Sequence, residues 1–173
     1  VNAFNPANRT PKFQALLGQV MSKGDRMDYA IQKAVELGVS EIQLLTSERC
    51  EMRLKYDRDQ KKLEHWQGVA IAACEQCGLN IVPKILAPIS LERWLENELP
   101  DTKLVLAPNK DETDVLAEAT LDLALLIGPE GGLSEAEINA ANHKGFRNWC
   151  IGERVLRTET APVVALSILN YVL

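Results

Sequence analysis

The sequence predicts an α/β domain, a mostly parallel sheet with flanking helices. Three observations carry that prediction. Segments with strand character alternate with segments of helical spacing along the chain. One strand candidate, "DLALLIG" (122–128), is apolar at nearly every position, as strands buried on both faces of a parallel sheet are. Three apolar runs, "LVLAPN", "LLIGPEGG" and "CIGERVLRTETA", end in Gly or Pro, and ligands of open parallel sheets bind beyond the carboxyl ends of the strands.

The elements follow in order. Residues 1–22, rich in Asn, Pro and Gln, read as a leader or linker, with a short strand at "FQALLGQV", and the domain proper is expected over 23–173. "DRMDYAIQKAVELGV" places Met27, Ala30, Ile31, Ala34 and Val35 at helical spacing, and Gly38 stands where a C-terminal cap belongs. "SEIQLLTS" is a strand. "ERCEMRLKYDRDQKK" is charged and partly irregular. "KLEHWQGVAIAACEQCG" puts Leu63, Trp66, Ala70, Ala73, Cys74 and Cys77 on one helical face, closed by Gly78. "IVPKIL" is a short extended piece, and "SLERWLENEL" a helix capped by Ser90. "TKLVLAP" and "DLALLIG" are strands. "SEAEINAANHKG" is a helix with the S-x-x-E capping-box spacing at Ser134 and Glu137, stopped by Gly145. "NWCIG" is the last strand. "APVVALSILNYVL" is the last helix, with Pro162 in its first turn and Ala165, Ile168, Leu169 and Val172 on one face.

Composition bounds the function. The 173 residues are 46% hydrophobic and 25% charged, the globular range, with enough chain for one ordinary core. No apolar run reaches the roughly 18 residues of a membrane helix, and the first residues carry no signal-peptide core, so a cytoplasmic protein without a membrane partner is expected. Cys50, Cys74, Cys77 and Cys150 read as reduced thiols. The Cys74-x-x-Cys77 spacing has no second pair and falls on an apolar helical face, so no metal site is assigned. His65 and His143 read as surface residues. Net charge is −5, yet residues 1–62 carry +3 and residues 63–173 carry −8. A basic first third is compatible with RNA contact through one face, and equally with an ordinary mixed surface. Arg49, Arg53, Lys55, Arg58, Lys61 and Lys62 form the same kind of strip, an RNA face or a solvated one.

Two loops carry the chemistry. In Gly128-Pro129-Glu130-Gly131-Gly132 the glycines permit positive φ and close approach to a ligand, and Pro129 stiffens the turn. The helix start at Ser134 and Glu135 offers N–H groups to an anion. The same loop also serves as a plain strand-to-helix turn. It lacks the G-x-G-x-x-G of dinucleotide folds and the G-K-[ST] of P-loops, which disfavours a nucleoside triphosphate. In "RVLRTETAP", Glu153, Arg154, Arg157 and Glu159 surround Thr158 and Thr160 between a strand and an apolar helix. That is site chemistry, helix capping by either threonine, or both.

With these loops in place, the chain resembles the ribosomal RNA small subunit methyltransferase E family, uridine-N3 methyltransferases of the SPOUT superfamily. "LLIGPEGGLSEAEI" and "IGERVLRTETA" carry the resemblance, joined upstream by "KGDRMDYAIQKAVELGVSEIQLLTSERC" and "WQGVAIAACEQCG". It runs from about Leu17 to the C-terminus. It implies a SPOUT-type fold with a C-terminal deep trefoil knot, a homodimer, and S-adenosylmethionine held by three strand-end loops. The donor-binding residues implied are Leu106, Ala107 and Pro108; Ile127, Gly128, Pro129, Glu130, Gly131 and Gly132; and Ile151, Gly152, Val155, Leu156, Arg157, Thr158, Thr160 and Ala161. Arg157 is assigned to stabilise the uridinate, and Glu159 to orient Arg157 or accept the N3 proton, against a simpler role as its buried partner. Arg49, Arg53 and Asn80 are assigned to RNA.

The implied partner is small-subunit (16S) ribosomal RNA or the assembled subunit, not DNA. The family's usual N-terminal PUA-like domain is absent from this sequence, which therefore reads as a fragment. "EQCGLNI" has Leu79 and Ile81 where the family has arginines, and "GER" has Glu153 where it has proline. Two other readings stand beside the enzyme: a non-catalytic RNA-binding or assembly module of the same fold, and a knotted methyltransferase with another RNA target.

Overall fold

A computed structural model describes residues 8–52, 56–107 and 115–173, with residues 56–58 described in their backbone alone. Six strands, β1 (Gln14–Val20), β2 (Glu41–Thr46), β3 (Lys84–Ser90), β4 (Thr102–Leu106), β5 (Asp122–Ile127) and β6 (Arg147–Trp149), form one sheet in the order β3-β2-β1-β5-β4-β6. Every neighbouring pair is parallel. The helices are α1 (Arg26–Glu36), α2 (Tyr56–Cys77), α3 (Leu91–Leu95), α4 (Glu135–His143) and α5 (Ala161–Val172).

The period of two in β5 divides the core. Leu123, Leu125 and Ile127 face one cluster with Met27 and Ile31 of α1, Trp66 and Ala70 of α2, and Leu166 and Leu169 of α5. Ala124 and Leu126 face the other, with Trp94 of α3 and Ala141 of α4. The strand is buried on both sides, which is why it is apolar throughout. The α/β class expected from the sequence is therefore the one observed.

Four boundaries differ from the expectation. Residues 14–20 are not the end of a leader: β1 lies at the centre of the sheet, paired with β2 and β5, and Ala15, Leu17 and Val20 are core. α2 begins about a turn and a half earlier than the apolar stripe suggested, through "YDRDQK". β3 starts at Lys84 and runs on through Pro88, which an edge strand tolerates; its register against β2 shifts between Gln43 and Leu45. β6 stops at Trp149, leaving Cys150–Gly152 as loop.

Caps follow the expectation more closely. Gly38, Gly78 and Gly145 close α1, α2 and α4 with φ of 84°, 76° and 90°. Ser90 accepts from Arg93 N at 3.2 Å. Ser134 and Glu137 form the reciprocal capping box. Among the described residues, no helix is long and apolar enough to cross a membrane.

Candidate functional site

In a parallel sheet every strand ends on the same side, so the loops after β2, β4, β5 and β6 converge. They enclose a cleft of about 340 Å³. It is lined by Leu106 at the end of β4 and Ala107 behind it, Ile127 to Leu133 around the glycine loop, Ile138 of α4, Trp149 at the end of β6 and Cys150 to Gly152 behind it. Arg154, Val155, Leu156, Thr158 and Ala161 complete the far wall, and Arg49 reaches in from the loop after β2. Such a volume falls within the range of small-molecule sites.

The glycines act differently from one another. Only Gly132 of the three has positive φ, 69°, at the end of a turn closed by Gly132 N donating to Pro129 O at 2.8 Å. Gly128 is there for room: a Cβ would stand 3.0 Å from both the backbone N and Cγ of Leu133. A Cβ on Gly131 would stand 3.4 Å from Cβ of Arg49. The loop is tied from both sides. Arg26 Nη1 of α1 lies 2.7 Å from Glu130 Oε1, and Arg49 Nη1 donates to Gly131 O at 3.1 Å. The helix behind it is closed to an anion at Ser134, because its N–H already donates to Glu137 Oε2 at 2.9 Å. Glu137 Oε1 also accepts from Glu48 N at 2.8 Å, joining α4 to the loop after β2. That corrects the expectation of a free N–H at Ser134.

The far wall is set by Thr158. Its hydroxyl donates to Gly128 O at 2.7 Å, so it does not cap α5. Thr160 holds the N-cap position but makes no side-chain cap bond; Thr160 N and Ala161 N donate to Arg157 O at 2.9 Å each. Thus neither threonine caps the helix through its side chain, as the sequence had allowed.

Of the expected donor residues that are described, all those named in the three strand-end loops line the cleft except Arg157 and Thr160. Pro108 and Arg53 lie outside the described residues. Arg157 is exposed and Glu159 half-buried; among the described residues neither side chain has a hydrogen-bond or ion-pair partner, so the expected pairing of Glu159 with Arg157 is not formed. Arg49, expected on RNA, lines the cleft. Asn80 precedes β3 and so stands at the opposite end of the sheet, where its Oδ1 accepts from Arg9 N at 3.1 Å. His65 is exposed but lies 2.7 Å from Asp28 Oδ2, whose other oxygen accepts from Trp66 Nε1 at 3.1 Å.

Sequence reasoning missed Leu133, Ile138, Trp149, Cys150 and Arg154 as wall residues, and Arg26 as a tether. Trp149 and Cys150 carried a signal, since they directly precede the assigned Ile151. Arg26 carried none, being 104 residues from its partner. All four cysteines are free, and among the described residues no cluster of His, Cys, Asp and Glu could hold a metal.

Fold and cleft together define a parallel α/β domain with a small-molecule site built by the loops at its strand ends. The chain belongs to the RNA methyltransferase domain family, whose profile matches residues 8–170. It is 41% identical over 156 residues to ribosomal RNA small subunit methyltransferase E of Buchnera aphidicola subsp. Schizaphis graminum, covering 89% of this chain and 63% of that protein. The chain thus spans somewhat under two thirds of the length of that relative. Among solved structures, Lpg2936 of Legionella pneumophila, in complex with SAM, superposes with a TM-score of 0.91 at 39% identity, covering 95% of this chain and 68% of that one. Ribosomal RNA small subunit methyltransferase E of Neisseria gonorrhoeae, bound to S-adenosyl methionine, gives 0.90 at 37% identity, covering 96% and 69%. The mostly parallel α/β fold expected from the sequence is the one these neighbours share.

Proposed function

We propose that this chain is the catalytic part of an S-adenosylmethionine-dependent methyltransferase acting on N3 of a uridine in small-subunit (16S) ribosomal RNA. The observation that carries the reading is the cleft itself: three strand-end loops, brought together from residues far apart in sequence, enclose it. Its walls suit such a donor. Leu106, Ile127, Trp149, Ile151 and Leu156 supply apolar surface, and backbone groups of the glycine loop, folded tightly because Gly128 has no Cβ to meet Leu133, supply polar contacts. Glu130, Arg49 and Arg154 supply both signs of charge for a zwitterionic ligand.

When bound, S-adenosylmethionine supplies a methyl group on a sulfonium, open to in-line displacement by a nitrogen nucleophile. The protein's share is positioning, which turns a bimolecular step into a unimolecular one. Uridine N3 carries a proton near neutral pH, so a cation beside the base carbonyls favours the anion that must form. Arg157 suits that task, since it sits next to Thr158 of the wall and its guanidinium has no partner among the described residues. Glu159, two residues on and also unpaired, is the candidate proton acceptor.

The same reading includes a homodimer, a threaded C-terminal segment and RNA contacts by Arg49 beside the cleft, by Arg53 and, at the opposite end of the sheet, by Asn80. Tyr171 and Val172 at the end of α5 are exposed, which supports self-association. The Thr158 hydroxyl bound to Gly128 O, which brings the segment before α5 against the glycine loop, is compatible with the threading.

Calorimetric titration with S-adenosylmethionine, with ATP as control, tests the donor site. Methyl transfer to small-subunit RNA, followed by nucleoside analysis, tests the target. Selective donor binding with 3-methyluridine as product is expected. A modified nucleoside of another kind would replace the target, and donor binding without transfer would favour the non-catalytic module.

A further inference from the structure

Gln19 lies on the central strand and is 1% exposed. A buried amide there is unusual, because its register partners Leu44 and Ile127 are apolar. Its Nε2 donates to Val20 O at 3.0 Å and to Thr158 Oγ1 at 3.1 Å. Its Oε1 is buried with no partner. The amide orientation is forced: the Thr158 hydroxyl spends its hydrogen on Gly128 O, and Val20 O can only accept. An orphan buried carbonyl is destabilising, and native proteins keep such groups for a reason.

We propose that Gln19 is a positioning residue of the methyl-donor site, acting through Thr158 on the carbonyl of Gly128. The chain Gln19–Thr158–Gly128 joins three segments, the central strand, the segment before α5 and the glycine loop. It sets the separation of the two walls of the cleft without touching the ligand, since Gln19 is not among the lining residues. The proposal rests on the donor-site reading above. It explains why an amide, with one oxygen unsatisfied, stands where a leucine would pack.

The consequence is a separation of stability from binding. Gln19→Leu removes the orphan oxygen and leaves the Thr158–Gly128 bond, which offsets the two Nε2 hydrogen bonds it loses, so melting temperature is expected to change little. Thr158 then loses the donor that orients its hydroxyl, and affinity for S-adenosylmethionine is expected to fall roughly tenfold. Thr158→Val reads the same chain from its other end and weakens binding similarly. Thr158→Ser recovers most of that loss. In the double variant Gln19→Leu/Thr158→Val, affinity is expected to be no worse than in Thr158→Val alone, because the amide acts only through the hydroxyl.

The experiment is calorimetry with S-adenosylmethionine on these four variants and the wild type, with thermal denaturation in parallel. Methyl transfer should show a raised KM for the donor and a kept kcat. Unchanged affinity in Gln19→Leu overturns the proposal. So do additive losses in the double variant, or a melting temperature that falls together with affinity. A wild-type protein that does not bind the donor overturns the donor-site reading instead.

Discussion

The carboxylate of Glu130, at the tip of the glycine loop, is paired at 2.7 Å with the guanidinium of Arg26 in the first turn of α1. Both side chains are partly open to solvent, 45% for Arg26 and 32% for Glu130. An exposed pair of this kind contributes about 0–1 kcal/mol to stability. Its value is in holding the loop. Arg26→Ala is expected to leave the melting temperature within a few degrees and to weaken S-adenosylmethionine binding several-fold. Calorimetry at low and moderate salt checks this, and unchanged affinity would show that Arg49 holds the loop alone.

Gly128→Ala places a methyl 3.0 Å from the backbone N and Cγ of Leu133 and pushes the loop into the cleft. Donor affinity is expected to fall at least tenfold. Gly132→Ala meets nothing within 4 Å but must hold φ near 69°. It is expected to cost about 1–2 kcal/mol of stability, with a smaller loss of binding. The contrast separates a steric glycine from a conformational one, and equal effects at the two positions would refute it.

Gly18 faces the indole of Trp94 across the sheet, where a Cβ would lie 2.7 Å and 2.8 Å from Cζ3 and Cζ2. Trp94 is 1% exposed and packed in the second core cluster, so it cannot swing aside freely. Gly18→Ala is expected to destabilise by about 1–3 kcal/mol in urea unfolding. Donor affinity of the folded fraction should be little changed, because Trp94 does not line the cleft.

Arg157→Ala removes an exposed side chain with no partner among the described residues. Stability and donor affinity are expected to hold while turnover falls at least a hundredfold. Single-turnover methyl transfer at saturating donor is the measurement. Parallel loss of affinity and turnover would make Arg157 a donor-binding residue.

Burial pushes the Cys74 thiol above its ordinary range, helped by Cys77 and Glu75 nearby. The thiolate is the reactive form, so native Cys74 is expected to resist alkylation at pH 8 and to react once the protein unfolds. Peptide mapping after brief iodoacetamide treatment reads this, and labelling of native Cys74 at the rate of a free thiol would contradict it.

Much of the fold was legible because it rests on local chemistry. The 3.6-residue stripe of α1, the capping box at Ser134 and Glu137, and the unbroken apolar run of β5 are one-dimensional signals. β1 was undervalued because its Asn- and Pro-rich approach looks like a linker; only pairing with β2 and β5 makes it central. Pro88 hid the second half of β3 until the strand was seen to be an edge.

By itself, then, the sequence determined the class of fold and the two loops, since apolar periodicity and turn chemistry are written locally, and the resemblance those loops carry pointed to most residues of the cleft. The tertiary structure decided which distant groups meet. Arg26 reaches Glu130, Arg49 reaches Gly131, and Gln19 reaches Thr158 across 139 positions of chain. Such pairs leave no periodic trace, because strand order exists only once the sheet has assembled.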